Sequence, residues 1–209
     1  MKIGIIGAGN VGATLGSRWS QAGHQVVFSS REPDSAKMQD VLRQSGRNAR
    51  AATVAATASA SEVIVLATPW QAVKTVLADA GDLSGKVVID AINPLLPDLS
   101  GLEVGTTTSA AEQIAGWSPG ARVVKAFNTI GYPVMADPVV NGKPVVLLYC
   151  GDDPEAKRIA AQLAGDLGFD AVDAGPLTQA RVLEPMALLW ISMAFKQGFG
   201  RHWGFTIQR

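Results

Sequence analysis

Short apolar runs rich in valine and isoleucine alternate along the chain with longer amphipathic stretches. The runs at 2–6 (KIGII), 25–29 (QVVFS), 62–68 (EVIVLAT), 86–92 (KVVIDAI), 122–127 (RVVKAF), 144–150 (PVVLLYC) and 169–174 (FDAVDA) predict strands. Most lack the in–out alternation of a half-exposed strand, so both faces are expected to be covered. Between them, 10–22, 34–45, 70–80, 108–116 and 154–167 predict helices, the last opened by Pro154 behind two aspartates. Such alternation predicts an α/β fold of the doubly wound, Rossmann type, with a mainly parallel sheet between helical layers. The turn-rich segment 93–107 predicts a loop over the sheet's edge.

The rhythm changes after residue 175. Residues 176–197 predict one long helix starting near Thr178, apolar on most faces through Leu183, Met186, Leu189, Trp190, Met193 and Phe195. A helix this apolar must pack on the core and on something else. Two compatible readings stand: a helix that covers the core, or a dimer helix or lid over a bound ring. The chain thus divides into a nucleotide-binding domain at 1–175 and a small C-terminal helical extension at 176–209.

The length of 209 residues suits one domain with a small appendage. Eighteen basic and eighteen acidic residues cancel, so no global field would hold nucleic acid or an anionic membrane, although a local basic pocket is possible. The longest apolar stretch, MALLWISMAF at 186–195, is far short of the roughly 20 residues that span a bilayer. Met1 and Lys2 lead directly into a strand, which leaves no room for a signal segment and predicts a cytoplasmic protein. Cys150 is the sole cysteine, so no intramolecular disulfide can form; in its apolar run it reads as a small hydrophobe. No Cys/His cluster has metal-site spacing.

Chemistry enters at residues 7–12, GAGNVG, which follow the first strand directly and open a helix. In that context G-x-G-x-x-G marks a dinucleotide loop. Gly7 permits the tight turn, Gly9 lets the backbone approach a pyrophosphate, and Gly12 lets helix pack close on strand. Asn10 and Val11 lie at the helix start, where free N–H groups and the helix dipole favour an anion.

At the end of the second strand, NAD sites place a carboxylate on the adenosine ribose. Here Ser29, Ser30 and Arg31 stand instead, offering hydroxyls and a planar cation that suit a 2′-phosphate. NADP(H) is therefore the expected cofactor; the alternative for Arg31 is a solvated surface position. Glu32 follows the arginine, and Lys37 on the next helix can add to the pocket.

Cofactor rings in such sheets lie across the carboxyl ends of the strands. Three loops leave there: Thr68-Pro69-Trp70, Asn93-Pro94 and Asn128-Thr129-Ile130. Trp70 either walls the ring crevice or packs as core. The chain has two histidines, His24 and His202, both read as surface or structural, and neither tyrosine has a lysine four residues on. Lys125 lies inside a strand, as a proton donor or as a lysine paired within the sheet. Hydride transfer between two bound rings can proceed by orientation without a protein acid, which fits this inventory.

The motifs GAGNVG (7–12), SSR (29–31), ATPW (67–70), CGDD (150–153) and DAGPLTQARVLEP (173–185) together resemble the NADPH-dependent coenzyme F420 reductases over nearly the whole chain. The resemblance implies hydride exchange between NADP(H) and a deazaflavin or flavin-like small-molecule acceptor. It implies that Ser29, Ser30 and Arg31 hold the 2′-phosphate and that Thr68, Pro69 and Trp70 line the ring crevice. The C-terminal helix would close the acceptor side and join a homodimer. At 123–134, VVKAFNTIGYPV carries Asn128-Thr129 where archaeal members tend to carry His-Thr, and DAINPL (90–95) also follows a broader pattern. Two alternatives stay open: a ferric or flavin reductase like metalloreductase cytoplasmic domains, and a non-catalytic NADPH sensor. Imine and 3-hydroxy-acid reductases add a large helical domain, for which the chain after residue 174 is too short.

Overall fold

The structure, a computed structural model, describes residues 1–208. The first half runs β1 (Lys2–Ile6), α1 (Asn10–Gln21), β2 (Gln25–Ser29), α2 (Ala36–Ser45), β3 (Ala49–Ala52), α3 (Val54–Ser59), β4 (Val63–Leu66), α4 (Val73–Ala80) and β5 (Val87–Asp90). The second runs α5 (Ala110–Trp117), β6 (Arg122–Lys125), α6 (Tyr132–Ala136), β7 (Val139–Val140), β8 (Lys143–Pro144), β9 (Val146–Gly151), α7 (Pro154–Gly165), β10 (Asp170–Asp173) and α8 (Ala180–Lys196). Single 3₁₀ turns, Trp70–Ala72 and Leu177–Gln179, lead into α4 and α8.

Eight strands form one sheet in the order β10-β9-β6-β5-β4-β1-β2-β3. From β3 to β6 all neighbours are parallel, β9 runs antiparallel to β6, and β10 is parallel to β9. The strand order reverses between β1 and β4, so their carboxyl ends diverge into the crevice where doubly wound folds bind ligands.

Both faces of the sheet are covered, which is why the strands are apolar without alternation. One face packs Leu15 and Trp19 of α1, Met38 of α2 and Leu163 of α7 against Ile3, Ile5 and Phe28. The other packs Leu77 of α4, Ile114 of α5 and Leu183 of α8 against Ile64, Leu66 and Val88. Helix α8 is thus built into the second core. The chain beyond it folds back: Trp203 stacks on Trp190 with centroids 5.4 Å apart, and Val146 donates its N–H to the Phe205 carbonyl. Gly131 sits beneath this tail, where a Cβ would come within 2.7 Å of both the Arg201 carbonyl and the Trp190 ring.

Four features depart from the sequence reading. Strand β3, with sequence ARAA, has no β-branched residue; it is an edge strand recruited by the open hydrogen-bonding side of β2. Helix α3 is six residues of mostly small side chains, opened by the Thr53 hydroxyl accepting from the Ala56 N–H. Before β9 lies a hairpin, β7–β8, with Asn141 and Gly142 both at positive φ (52° and 73°). That is what an Asn-Gly hairpin turn requires, and it delivers β9 in the antiparallel sense. The 93–107 loop leaves a central strand, β5, so it covers the carboxyl end of the sheet rather than a lateral edge.

Candidate active site

The glycine loop is fixed by close approaches. Gly7 has φ +104°, and a Cβ there would lie 2.6 Å from the Ala67 carbonyl of the neighbouring strand end. A Cβ on Gly12 would fall 1.9 Å from the Gly7 carbonyl, so helix and loop could not sit together. Gly9 differs: a Cβ on it would meet nothing within 4 Å. Its side faces open space, as backbone that a ligand approaches must. Helix α1 opens at Gly9 with no side-chain cap and no acidic residue in the first turn. The N–H groups around Asn10, Val11 and Gly12 therefore favour an anion.

This loop forms part of a cavity of about 600 Å³. Gly7, Gly9, Ser29, Ser30, Arg31, Thr68 and Pro69, all singled out from sequence, line it. Ser29 is buried, and its hydroxyl accepts from the Gly7 N–H at 3.3 Å, so it braces the loop. The Ser30 hydroxyl accepts from the Glu32 N–H at 3.0 Å. Arg31 is exposed, and among the described residues no carboxylate pairs with it. Lys37 and Ser35 join the same wall, and Met38 and Val41 of α2 add an apolar side. A group with a negative end and a flat apolar ring fits such a wall. Val54, Thr75 and Asp79 also line it, unread from sequence because α3 was missed and α4 carries no motif.

The Thr68 side-chain oxygen is buried at the wall and has no hydrogen-bond partner among the described residues. Trp70, by contrast, is not part of the cavity wall. Its ring stacks on Trp117 with centroids 5.5 Å apart and planes at 25°, with Lys74 above Trp117, and it packs against the second core.

Asn93, Asn128 and Thr129 meet separately, at the carboxyl ends of β5 and β6. Asn93 Nδ2 donates to the Asn128 carbonyl at 2.8 Å, and Asn128 Nδ2 donates to Asn93 Oδ1 at 3.0 Å. Asn128 Nδ2 also donates to the Leu183 carbonyl of α8 at 2.9 Å. Asn128 Oδ1 is buried with no partner among the described residues, and the next residue, Thr129, is also buried. The residue before, Phe127, has φ 65°, a conformation that costs a non-glycine residue roughly 1–3 kcal/mol. Its ring is held edge-on to both Trp19 and Phe169.

Directly beneath lies a group of charges that sequence reasoning left as a single lysine. Lys125 is fully buried, with its ammonium 2.9 Å from Asp90 Oδ2 and 2.8 Å from Glu184 Oε1, and it also donates to the Ile92 carbonyl. Asp90 Oδ1 accepts from the Ile92 N–H. Glu184 accepts from the Ala110 and Ala111 N–H groups at 3.0 and 3.2 Å, capping α5 from another helix. Burial opposes the Lys125 charge, yet the two carboxylates outweigh it and raise its pKa. Burial likewise raises the pKa of Glu184, with Lys125 pulling the other way. Lys125 is thus the paired lysine of the two readings. The available signal was an acidic or basic residue in each of three apolar segments, because a buried charge demands a partner. Beside this triad Arg181 of α8 grips Glu112 of α5 at 2.9 and 2.6 Å, which lowers the Glu112 pKa.

Cys150 is buried in the second core, and burial pushes its thiol up to about 12. His24 bonds Asp166 at 2.9 Å and the chain's amino group at 3.3 Å, a structural tie. Among the described residues, no His/Cys/Asp/Glu group could hold a metal ion, and no helix is long and apolar enough to cross a membrane.

Residues 2–94 match the family model described as NADP oxidoreductase, coenzyme F420-dependent. An F420-dependent NADP reductase from Methanothermobacter marburgensis is 32% identical over 210 residues, covering 94% of this chain and 93% of that protein. The metalloreductase STEAP3 of Rattus norvegicus is 32% identical over 189 residues, but this chain spans only 36% of it. Among solved structures, a candidate F420-dependent NADP reductase from Arthrobacter sp. FB24 superposes with a TM-score of 0.90 at 31% identity, covering both chains fully. A reductive aminase from Aspergillus terreus, 22% identical with a TM-score of 0.68 over 62% of its length, shares the fold. By its full-length likeness to the archaeal reductases, the chain belongs to the F420-dependent NADP reductase family.

Proposed function

We propose that this protein transfers hydride between NADP(H) and a deazaflavin, coenzyme F420, at the carboxyl end of its sheet. The observation that carries this reading is one cavity joining the open backbone at Gly9 to the Arg31 guanidinium, which pairs with no described carboxylate. The reduced nicotinamide supplies the hydride when the cofactor is bound. The α1 N-terminus with Gly7 and Gly9 would hold the pyrophosphate. Ser30, Arg31 and Lys37 would clamp the 2′-phosphate, while Ser29 keeps the loop in shape. Thr68 and Pro69 would border the ribose and ring, and Asn93, Asn128 and Thr129 the reacting end, while Trp70, next to Pro69, packs on Trp117. None of these residues need exchange a proton in the transfer; their work is orientation and exclusion of water.

We also assign the protein to the cytoplasm, and residues 1–175 and 176–209 to nucleotide binding and to closure of the acceptor side. A homodimer through α8 is supported by Val182, Leu189 and Phe195, which are 60%, 53% and 52% exposed; a dimer mass in dilute solution is the check. STEAP3 keeps a second reading alive, a flavin-linked ferric reductase. NADPH oxidation measured side by side with F420, FMN, FAD and ferric chelates decides. F420 should be the fastest acceptor, and turnover with ferric chelates alone would overturn the deazaflavin reading.

A further inference from the structure

Asp90, Lys125 and Glu184 have no part in the steps above, although they lie under the crevice. Three fully buried charges are costly to desolvate, and such clusters are often no more stable than apolar replacements of the same shape. Stability alone is therefore a poor reason for them, and what they hold together is the better clue. Lys125 ends β6, Asp90 ends β5, and Glu184 belongs to α8. The same ammonium grips the carbonyl of Ile92, the residue before Asn93. One residue before Glu184, the Leu183 carbonyl accepts from Asn128. Each asparagine is thus one residue or a few from a group fixed by Lys125, and the two asparagines bond each other.

We propose that Lys125 is a positioning residue for hydride transfer: locked between Asp90 and Glu184, it sets β5, β6 and α8 in the register that aims the Asn93–Asn128 pair at the reacting end of the crevice. The proposal rests on the hydride-transfer reading for what that pair does. Two further observations support it. Phe127 is held in a strained conformation from the opposite face of the sheet, so Asn128 is braced from both sides. Asn128 Oδ1 has no hydrogen-bond partner among the described residues, so this side chain is not fully committed to the fold.

The test uses the full chain with Glu184→Gln, which keeps the shape and an acceptor for α5, and with Asn128→Ala, which cuts the link above an intact triad. NADPH affinity should stay within about twofold, since the adenosine end lies across the sheet. The single-turnover rate to the best acceptor should fall on the order of 100-fold, as misplacement by about 1 Å can cost. The double variant should lose little more than either single one, because both break one chain of contacts. A second readout needs no acceptor: amide exchange with NADP⁺ bound should quicken at 126–130 but not at 3–6, and the fluorescence of bound NADPH, which reports its ring, should change. A folded Glu184→Gln variant with normal exchange, fluorescence and transfer rate would overturn the proposal. If the wild type reduces none of the acceptors, the functional reading falls and exchange with fluorescence still decides the positioning role. If Glu184→Gln does not fold, Asn128→Ala decides, and an unchanged rate with unchanged fluorescence overturns the proposal.

Discussion

The two ends of the crevice are built on opposite terms. At the β1–β2 end the donors are left open: the start of α1 has no side-chain cap, a Cβ on Gly9 would face empty space, and no described carboxylate pairs with Arg31. At the β5–β6 end nearly every polar group is engaged within the protein, from the Asn93–Asn128 pair down to the Lys125 triad. Unmet donors cost little where water reaches them and make a strong anion site. Groups buried beyond water must be paired, and pairing makes them rigid. One end is shaped to grip, the other to hold still.

Three experiments press on that contrast. Gly9→Val should bring the largest change. A Cβ at this position meets nothing within 4 Å, so thermal stability should change little while nucleotide binding is lost. Retained affinity in a titration would break the assignment of the open end. Arg31→Glu comes next. Losing a charge-assisted contact and adding repulsion should weaken NADPH binding on the order of 100-fold, with NADH nearly unaffected, and equal losses for the two cofactors would remove the phosphate clamp. The smallest effect belongs to the closed end. Cys150 and Lys125 both have raised pKa values in the folded protein. Their stabilisation is complete below their unfolded values and is lost as pH rises through the folded ones. Melting temperature should therefore hold to about pH 9 and decline toward about 12, more gently in Cys150→Ala. An equally steep decline in that variant would show that the thiol contributes nothing.

The same contrast explains what could be read in advance. The open end is local: Gly7, Gly9 and Gly12 span six residues, and Ser29 to Arg31 close the next strand, so spacing alone announces them. The closed end is assembled by topology. Asp90 meets Lys125 only because β5 and β6 are neighbours, and Glu184 arrives from a helix whose place no periodicity reveals. Most strands were legible from their valine and isoleucine content. Strand β3 was not, because an alanine-rich edge borrows its conformation from β2. Trp70 shows the limit of a motif, which located the residue beside the crevice without saying that its ring would lie on Trp117.

Gly131 ties the crevice to Trp190 and to the segment that folds back behind it. Its missing side chain lets Trp190 and the Arg201 carbonyl rest directly behind the turn that carries Asn128. A side chain at position 131 would wedge the indole and that carbonyl away from the turn, so this one site lets the reacting half of the crevice be slackened while the glycine loop and Arg31 stay as they are.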